Sequence, residues 1–508
     1  MADAARGRAG AAPERRLPLA VLAGLVLTAS MLLPMSHALV NDRHEEARAF
    51  FYWAILLGAG FGLLGLATAR RAELEVRGQL VSLVVAFALL PLAAALPVME
   101  LRPEAGLGPL WVEMIAAATT TGGSLFADVE FTRTIHLWRA LVAWQGGLLV
   151  WIAAAAILAP LSLGGFEVLA PGGARLRVGR DGSGEVDARA RVGRAVRTLG
   201  PIYVGLTLSL WLLLSLIGTD PTVAAIHAMS TLSTSGITGG VAIASGGLLA
   251  EFAVAAFLIF AVTRRAFATD LHRRRIRGMA EDREARLAFV VVLATALILF
   301  ARHWLGSYEV SGMGTLRAAA GALWGAAFTA LSFLTTAGFV SAEWSLARGW
   351  SGLESPAVLL MGLALFGGGV ATTAGGVKLL RIYALYAHGR REMDLLVHPS
   401  AAGGHGAGAR RLSRAGIEAA WIFFMLFALS LAGAVMAFTA TGVSFEAAAV
   451  LAVAALATCG PLVDAAGIAA ARLGDLPAAA QGVFAVAMVL GRLEALALIA
   501  LFNPAFWR

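Results

Sequence analysis

Four short apolar runs, each set between two long ones, constrain what this chain can fold into more than any other feature of its sequence. The short runs lie near residues 109–120, 222–233, 319–334 and 446–457. The long ones lie near 19–36, 50–69, 78–97, 136–160, 198–217, 246–263, 287–304, 355–377, 413–440 and 480–503. A helix needs about 20 apolar residues to cross a bilayer, whereas runs of about 10–14 suit re-entrant or buried segments. The pattern predicts an all-α membrane protein with two leading helices and four units of span, half-helix and span. Composition agrees: 59% of residues are hydrophobic and 14% charged, with mean hydropathy +0.78, where a soluble globular chain carries about 25% charged residues. The expected division is 1–77 for the leading pair, then repeats at 78–197, 198–285, 286–412 and 413–508.

The arginines test this arrangement independently. Clusters precede the first span (Arg6, Arg8, Arg15, Arg16), join the second and third (Arg70, Arg71, Arg77), and fall at 175–197, 264–286 and 378–414. All lie on one side if the ten long runs cross and the four short ones do not. The positive-inside rule makes that side cytoplasmic, with both termini there and the short runs entered from outside. The same blocks explain the net charge of +8 without nucleic acid. Ser36-His37 leads into a charged connector without a small-residue cleavage pattern, so the first run is expected to stay as a span. Cys459 is the only cysteine, which excludes an internal disulfide.

The short runs end alike: Thr119-Thr120-Thr121-Gly122-Gly123, Ser233-Thr234-Ser235-Gly236, Leu334-Thr335-Thr336-Ala337-Gly338 and Ala457-Thr458-Cys459-Gly460. Each is small, hydroxyl-rich and closed by glycine. Irregular backbone at membrane depth is tolerated only where it is buried in protein or lines a water-filled cavity. Carbonyls freed from pairing there can replace the hydration shell of an alkali cation. Glycine permits the backbone angles this needs and leaves the axis clear, while a half-helix turns its partial negative end toward the cation. Any one such stretch is explained as well by close helix packing through small residues. Four at matching places in four units favour a pore.

Further along, Gly367-Gly368-Gly369 is followed by Thr372-Thr373-Ala374-Gly375-Gly376-Val377-Lys378, then by Gly389-Arg390-Arg391-Glu392 to Val397-His398-Pro399. With Trp144-Gln145-Gly146-Gly147, Gly491-Arg492-Leu493-Glu494 and the ending Phe502-Asn503-Pro504-Ala505-Phe506-Trp507, these stretches resemble the TrkH/KtrB potassium transporter family, nearest its TrkH branch because of the two leading helices. The resemblance implies a pseudo-tetrameric pore for potassium uptake across the bacterial inner membrane. Gly122, Gly236, Gly338 and Gly460 would be filter glycines, and Thr120, Thr121, Thr234, Ser235, Thr336, Ala337, Thr458 and Cys459 would present coordinating carbonyls. Plant relatives with serine at the first filter glycine tend toward sodium, so glycine at all four points to potassium. The segment from Gly367 to Gly376 would be an intramembrane gate below the filter. Glycine costs a helix about 1 kcal/mol per residue, so a bent or unwound segment is expected there in any case. The implied partners are a second copy of the chain and a separate nucleotide-binding cytosolic ring of TrkA type. Potassium is the implied ion, with no organic cofactor.

Two basic residues stand apart. Lys378, the sole lysine, could anchor a helix end by snorkelling; the resemblance places it at the gate. Arg492 lies within an apolar span, where a charge costs at least about 2.5 kcal/mol. Glu494 is two positions on and does not face it on a helix, so the resemblance favours a barrier in the permeation path. Asp128, Glu130, Asp220, Glu343 and Asp464 follow or precede the loops and are expected near the outer mouth, where one sign of charge concentrates counter-ions. No HExxH, GxSxG, Walker A or paired-cysteine motif is present, so an enzyme is not expected. His227 reads as a packed side chain. A proton- or sodium-coupled secondary transporter is the rival reading, but its inverted repeats contrast with four units of one orientation.

Overall fold

A computed structural model describes residues 17–68, 76–126, 131–159, 188–263, 282–306, 316–398 and 414–494. Every regular element among the described residues is helical. The leading pair comprises Leu19–Ser30 with Leu32–Val40, turning at Met31, and His44–Thr68. Four helix–loop–helix repeats follow. Their short helices are Leu107–Ala118, Pro221–Ser233, Leu316–Leu334 and Phe445–Leu456. Asp220 starts the second of these, accepting hydrogen bonds from the amides of Thr222 and Val223, with Pro221 at the first helical position.

Burial inverts the usual relation of size to depth. From Ala447 to Leu456 all residues but Ala449 are buried, whereas only 17% of the most apolar window of Gly416–Ala440 is. Small alanines fill the centre, and Leu, Phe and Ile side chains such as Leu429, Phe252 and Ile298 face outward. Lipid is as apolar as leucine, so close backbone approach rather than bulk decides what lies inside. Glycines on the flanking helices allow that approach. A Cβ at Gly146 would lie 1.9 Å from the Ala118 carbonyl oxygen, and one at Gly491 would lie 2.3 Å from that of Leu456. Both glycines belong to the stretches that carry the family resemblance. Their role here is to let the last carbonyls of a short helix dock.

Two expectations change in detail. The third short helix has 19 residues and is long enough to cross a membrane by length alone. It nevertheless ends in the same loop as the other three. The 355–377 run is not one span: helix Ala357–Phe366 stops, ten residues depart, and helix Leu379–Val397 follows. Nine described helices meet the length and hydropathy of a membrane span, which makes this a multi-pass membrane protein. The final run is described only as Ala478–Leu493; Pro399, the ending Phe502–Trp507, and Asp128 with Glu130 lie outside the described residues.

Candidate functional site

The four short helices end in one repeated hydrogen-bond pattern. In each, the amide of the residue before the glycine reaches back five positions: Thr121 to Ala116, Ser235 to Ser230, Ala337 to Ser332 and Cys459 to Ala454. The preceding threonine amide reaches back three, as Thr120 does to Ala117 and Thr458 to Ala455. This is a Schellman cap, whose left-handed position normally takes glycine. Here it takes Thr120, Thr234, Thr336 and Thr458, with φ of 55°, 54°, 57° and 51°. A β-branched residue there is strained by about 1–3 kcal/mol and persists only where its surroundings hold it. Of the other described non-glycine residues with positive φ, Ala371, Lys378 and Glu494 lie just below the loops, and only Asp42 is elsewhere.

The loops close into a ring. A Cβ at Gly122 would lie 1.7 Å from the Ser235 carbonyl oxygen, one at Gly236 would lie 2.3 Å from that of Ala337, and one at Gly338 would lie 2.8 Å from the Pro461 side chain. Gly460 completes the circuit against Gly122, 2.2 Å from its oxygen by the same measure. Carbonyl oxygens therefore crowd onto glycines of neighbouring loops. The fourth loop departs from the others: Gly460 is not left-handed, and its amide donates to the Thr121 carbonyl at 2.6 Å. One of the eight expected carbonyls is thus engaged by the next loop.

Arg492 lies directly beneath. Its Nε donates to the Thr119 carbonyl at 2.6 Å and Nη1 to the Thr373 carbonyl at 2.7 Å. Nη2 donates to Thr120 Oγ1 and, at 2.8 Å, to Thr458 Oγ1. No carboxylate lies within ion-pair distance of it among the described residues. Glu494, the neighbour two positions on, pairs instead with buried Arg381 at 2.7 Å. The guanidinium is held by uncharged oxygens alone.

The segment 367–376 passes under the other loops. Thr373 Oγ1 donates to the Leu232 carbonyl, the Gly375 amide donates to Thr336 Oγ1, and a Cβ at Gly375 would sit 2.1 Å from the Ala457 oxygen. A Cβ at Gly369 would meet the Val262 oxygen at 2.1 Å, and one at Gly368 the Ala261 oxygen at 2.6 Å. Gly367 and Gly376 are both left-handed. Thr372 closes a turn onto the Gly369 carbonyl. Amides of Val377 and Lys378 then return to the carbonyls of Leu365 and Phe366, where the helix broke off. The ten residues are thus an excursion whose far end is tied back to the last carbonyls of the helix it left. Lys378 is 6% exposed, its Nζ donating to the Ala374 carbonyl, and does not snorkel.

Above the ring lies a cavity of about 830 Å³ lined by Gly123, Gly236, Gly338 and Pro461, one from each loop. Asp464 lines it, but so do His136, Arg139 and Arg348, so its wall carries both signs. Asp220 caps its helix and pairs with Arg133 at 3.0 Å, and Glu343 packs against Gly321 and Gly325; neither lines the cavity. Burial raises the Asp464 carboxyl above its ordinary range despite nearby Arg472. Burial pushes Asp220 the same way, but the amides of Val223 and Thr222 and the Arg133 charge hold it below that range. His227 is packed, its Nε2 donating to the Val241 carbonyl at 2.8 Å.

Sequence reasoning passed over the buried charges that hold these loops from behind. Glu113 and Glu251 are 0% exposed, and Glu284, at 3%, accepts from the Val370 amide at 2.8 Å. Arg139 pairs with Glu113 and donates to the Gly123 carbonyl at 2.8 Å. Charged residues inside apolar or short runs were the available signal. No group of three His, Cys, Asp or Glu is placed to hold a metal among the described residues. The site offers main-chain and threonine oxygens.

Comparison with known proteins identifies the family. Residues 284–508 match the TrkH family, described as cation transport protein. The Trk system potassium uptake protein TrkH of Halomonas elongata is 32% identical over 478 residues, covering 90% of this chain and 92% of that protein. The Salmonella typhimurium protein of the same name is 29% identical, covering 95% and 97%. The crystal structure of the potassium transporter TrkH from Vibrio parahaemolyticus superposes with a TM-score of 0.78 at 25% identity, covering 97% of this chain and 98% of that one. With sequence, loop geometry and fold in agreement, the chain belongs to the TrkH family of cation transport proteins.

Proposed function

We propose that this chain takes up potassium through the ring of four loops, from the outer cavity to the region now spanned by Arg492. The observation that carries this reading is the set of oxygens holding Arg492: two carbonyls and two threonine hydroxyls, from two loops and the excursion, around a cation with no carboxylate within ion-pair distance among the described residues. Oxygens arranged to satisfy a guanidinium in a water-poor centre also suit a dehydrated alkali ion. Thr120, Thr121, Thr234, Ser235, Thr336, Ala337, Thr458 and Cys459 then supply the filter, with Gly122, Gly236, Gly338 and Gly460 giving the clearance.

In the same reading the 367–376 excursion and Lys378 form the gate, and Arg492 is an electrostatic barrier. The arginine clusters set both termini in the cytoplasm of a bacterial cell, with this chain in the inner membrane. Pairing of two copies and docking of a nucleotide-binding TrkA-type ring belong to the proposal as what the family resemblance implies. The 78–197, 198–285, 286–412 and 413–508 units are its four repeats.

The test is growth of potassium-uptake-deficient cells in low potassium. The intact chain is expected to restore growth; Gly122→Ser, Gly236→Ser and Gly338→Ser are expected to lose it or to admit sodium. Absence of potassium-dependent rescue by the intact, membrane-inserted chain overturns the reading. In proteoliposomes held at constant membrane potential, removal of the proton or sodium gradient separates a pore, whose potassium flux continues, from a coupled transporter, whose flux stops.

A further inference from the structure

Two buried glutamates make the same set of contacts from unrelated places in the fold. Glu113 sits on the short helix of the first repeat; its carboxylate accepts from Ser124 Oγ at 3.0 Å and from the Leu125 amide at 2.8 Å. Glu251 sits on the last long helix of the second repeat, Gly247–Leu258, and serves the third loop instead. Its carboxylate accepts from Ser341 Oγ at 2.7 Å and from the Ala342 amide at 2.6 Å, with Trp324 Nε1 adding a third donor at 2.8 Å. In both loops the serine hydroxyl accepts in turn from the amide two residues on, Phe126 and Glu343, each at 3.1 Å. Serine and the next amide therefore grip a buried carboxylate just after Gly122 and just after Gly338.

Among the described residues the other two loops show no such carboxylate. The return limb of the second is held by the neutral donor His227 on Val241, and the Gly460 amide of the fourth bonds to Thr121. Loops 1 and 3 are not neighbours in the ring, because loops 2 and 4 lie between them on either side. The two anchored loops thus face one another across the axis.

We infer that Glu113 and Glu251 are positioning residues that fix the width of the loop ring and so determine which alkali cation it takes. The inference rests on the proposed potassium uptake. Carbonyl oxygens repel one another and close on whatever cation they surround; a smaller ion is matched when the ring is free to contract. Anchoring two facing loops from behind resists contraction. The glutamates differ in charge balance. Glu113 is paired with Arg139, whereas Glu251 meets three neutral donors and no basic side chain within ion-pair distance among the described residues. A glutamine there turns an NH2 toward groups that are themselves donors.

Potassium and sodium fluxes are measured in proteoliposomes of the full chain, with folding checked by gel filtration. Loss of a hydrogen bond to a charged group leads us to expect Glu251→Gln to lower the potassium-to-sodium flux ratio about tenfold, and Glu113→Gln to lower it less. Exposed Glu354→Gln is the control and should leave the ratio alone. If Glu251→Gln does not fold, Ser341→Ala removes one donor from the same carboxylate and must lower the ratio. A merely structural role reduces both fluxes in proportion, and that result, or an unmoved ratio in a folded variant, overturns the inference. Failure of the intact chain to pass potassium would sink the underlying reading. A selective intact chain with unmoved variants sinks only the role of the glutamates.

Discussion

Arg492 concentrates the chemistry of the site in one side chain. Its guanidinium makes four hydrogen bonds to oxygens of loop 1, loop 4 and the excursion, and its own helix ends at the next residue, Leu493. In the proposed reading this positive charge, with no carboxylate within ion-pair distance among the described residues, repels an entering cation, and the interaction is strong where water is scarce. Arg492→Ala is expected to raise potassium flux about tenfold, whereas Arg492→Lys keeps the charge and should keep flux low. Single-channel or proteoliposome flux decides it; equal flux in Arg492→Ala and the intact chain removes the barrier role. The residue was conspicuous in the sequence because arginine within an apolar span demands an explanation. Its partners were not, since they come from distant positions: Thr458 lies 34 residues away, Thr373 lies 119 away and Thr119 lies 373 away.

The 367–376 excursion shows how one element is built from glycine in two different senses. Gly367 and Gly376 supply left-handed turns at its ends, while Gly369 and Gly375 supply room against carbonyl oxygens of Val262 and Ala457. Gly362, on the helix just before it, faces open space: a methyl group there would meet nothing within 4 Å. Gly375→Ala is therefore expected to displace the excursion and change ion flux. Gly362→Ala should leave flux unchanged while favouring the helix by about 1 kcal/mol. Flux assays on the two variants side by side check this, and equal behaviour would count against a gate at this place. The glycine-rich run was legible as a helix break. That the amides of Val377 and Lys378 return to the carbonyls of Leu365 and Phe366 was not, because the sequence carries no mark of where the chain comes back.

At the scale of the molecule, the long helices form a lipid-facing shell around four buried short ones. The orientation of that shell is open to direct measurement, because Cys459 is the only cysteine and is fully buried. An impermeant thiol reagent is expected to label Asp42→Cys and Ser245→Cys from outside the cell and Arg197→Cys only from inside, with no reaction at Cys459. Labelling of Arg197→Cys from outside would reverse the topology.

Much of this architecture was set by the sequence alone. Run length separates helices that cross from helices that turn back, because the thickness of a bilayer acts on the chain locally, and the arginine clusters supply the orientation that the labelling tests. The third short helix is the exception that length misjudges, at 19 residues. Tertiary structure alone decided which oxygens meet: the Gly460 amide on Thr121, the buried carboxylates Glu113 and Glu251 behind loops 1 and 3, and the pairing of Glu494 with Arg381 rather than Arg492. Those contacts join residues distant in the chain, and a buried polar group is satisfied by whatever partner packing brings to it, which periodicity and spacing do not encode.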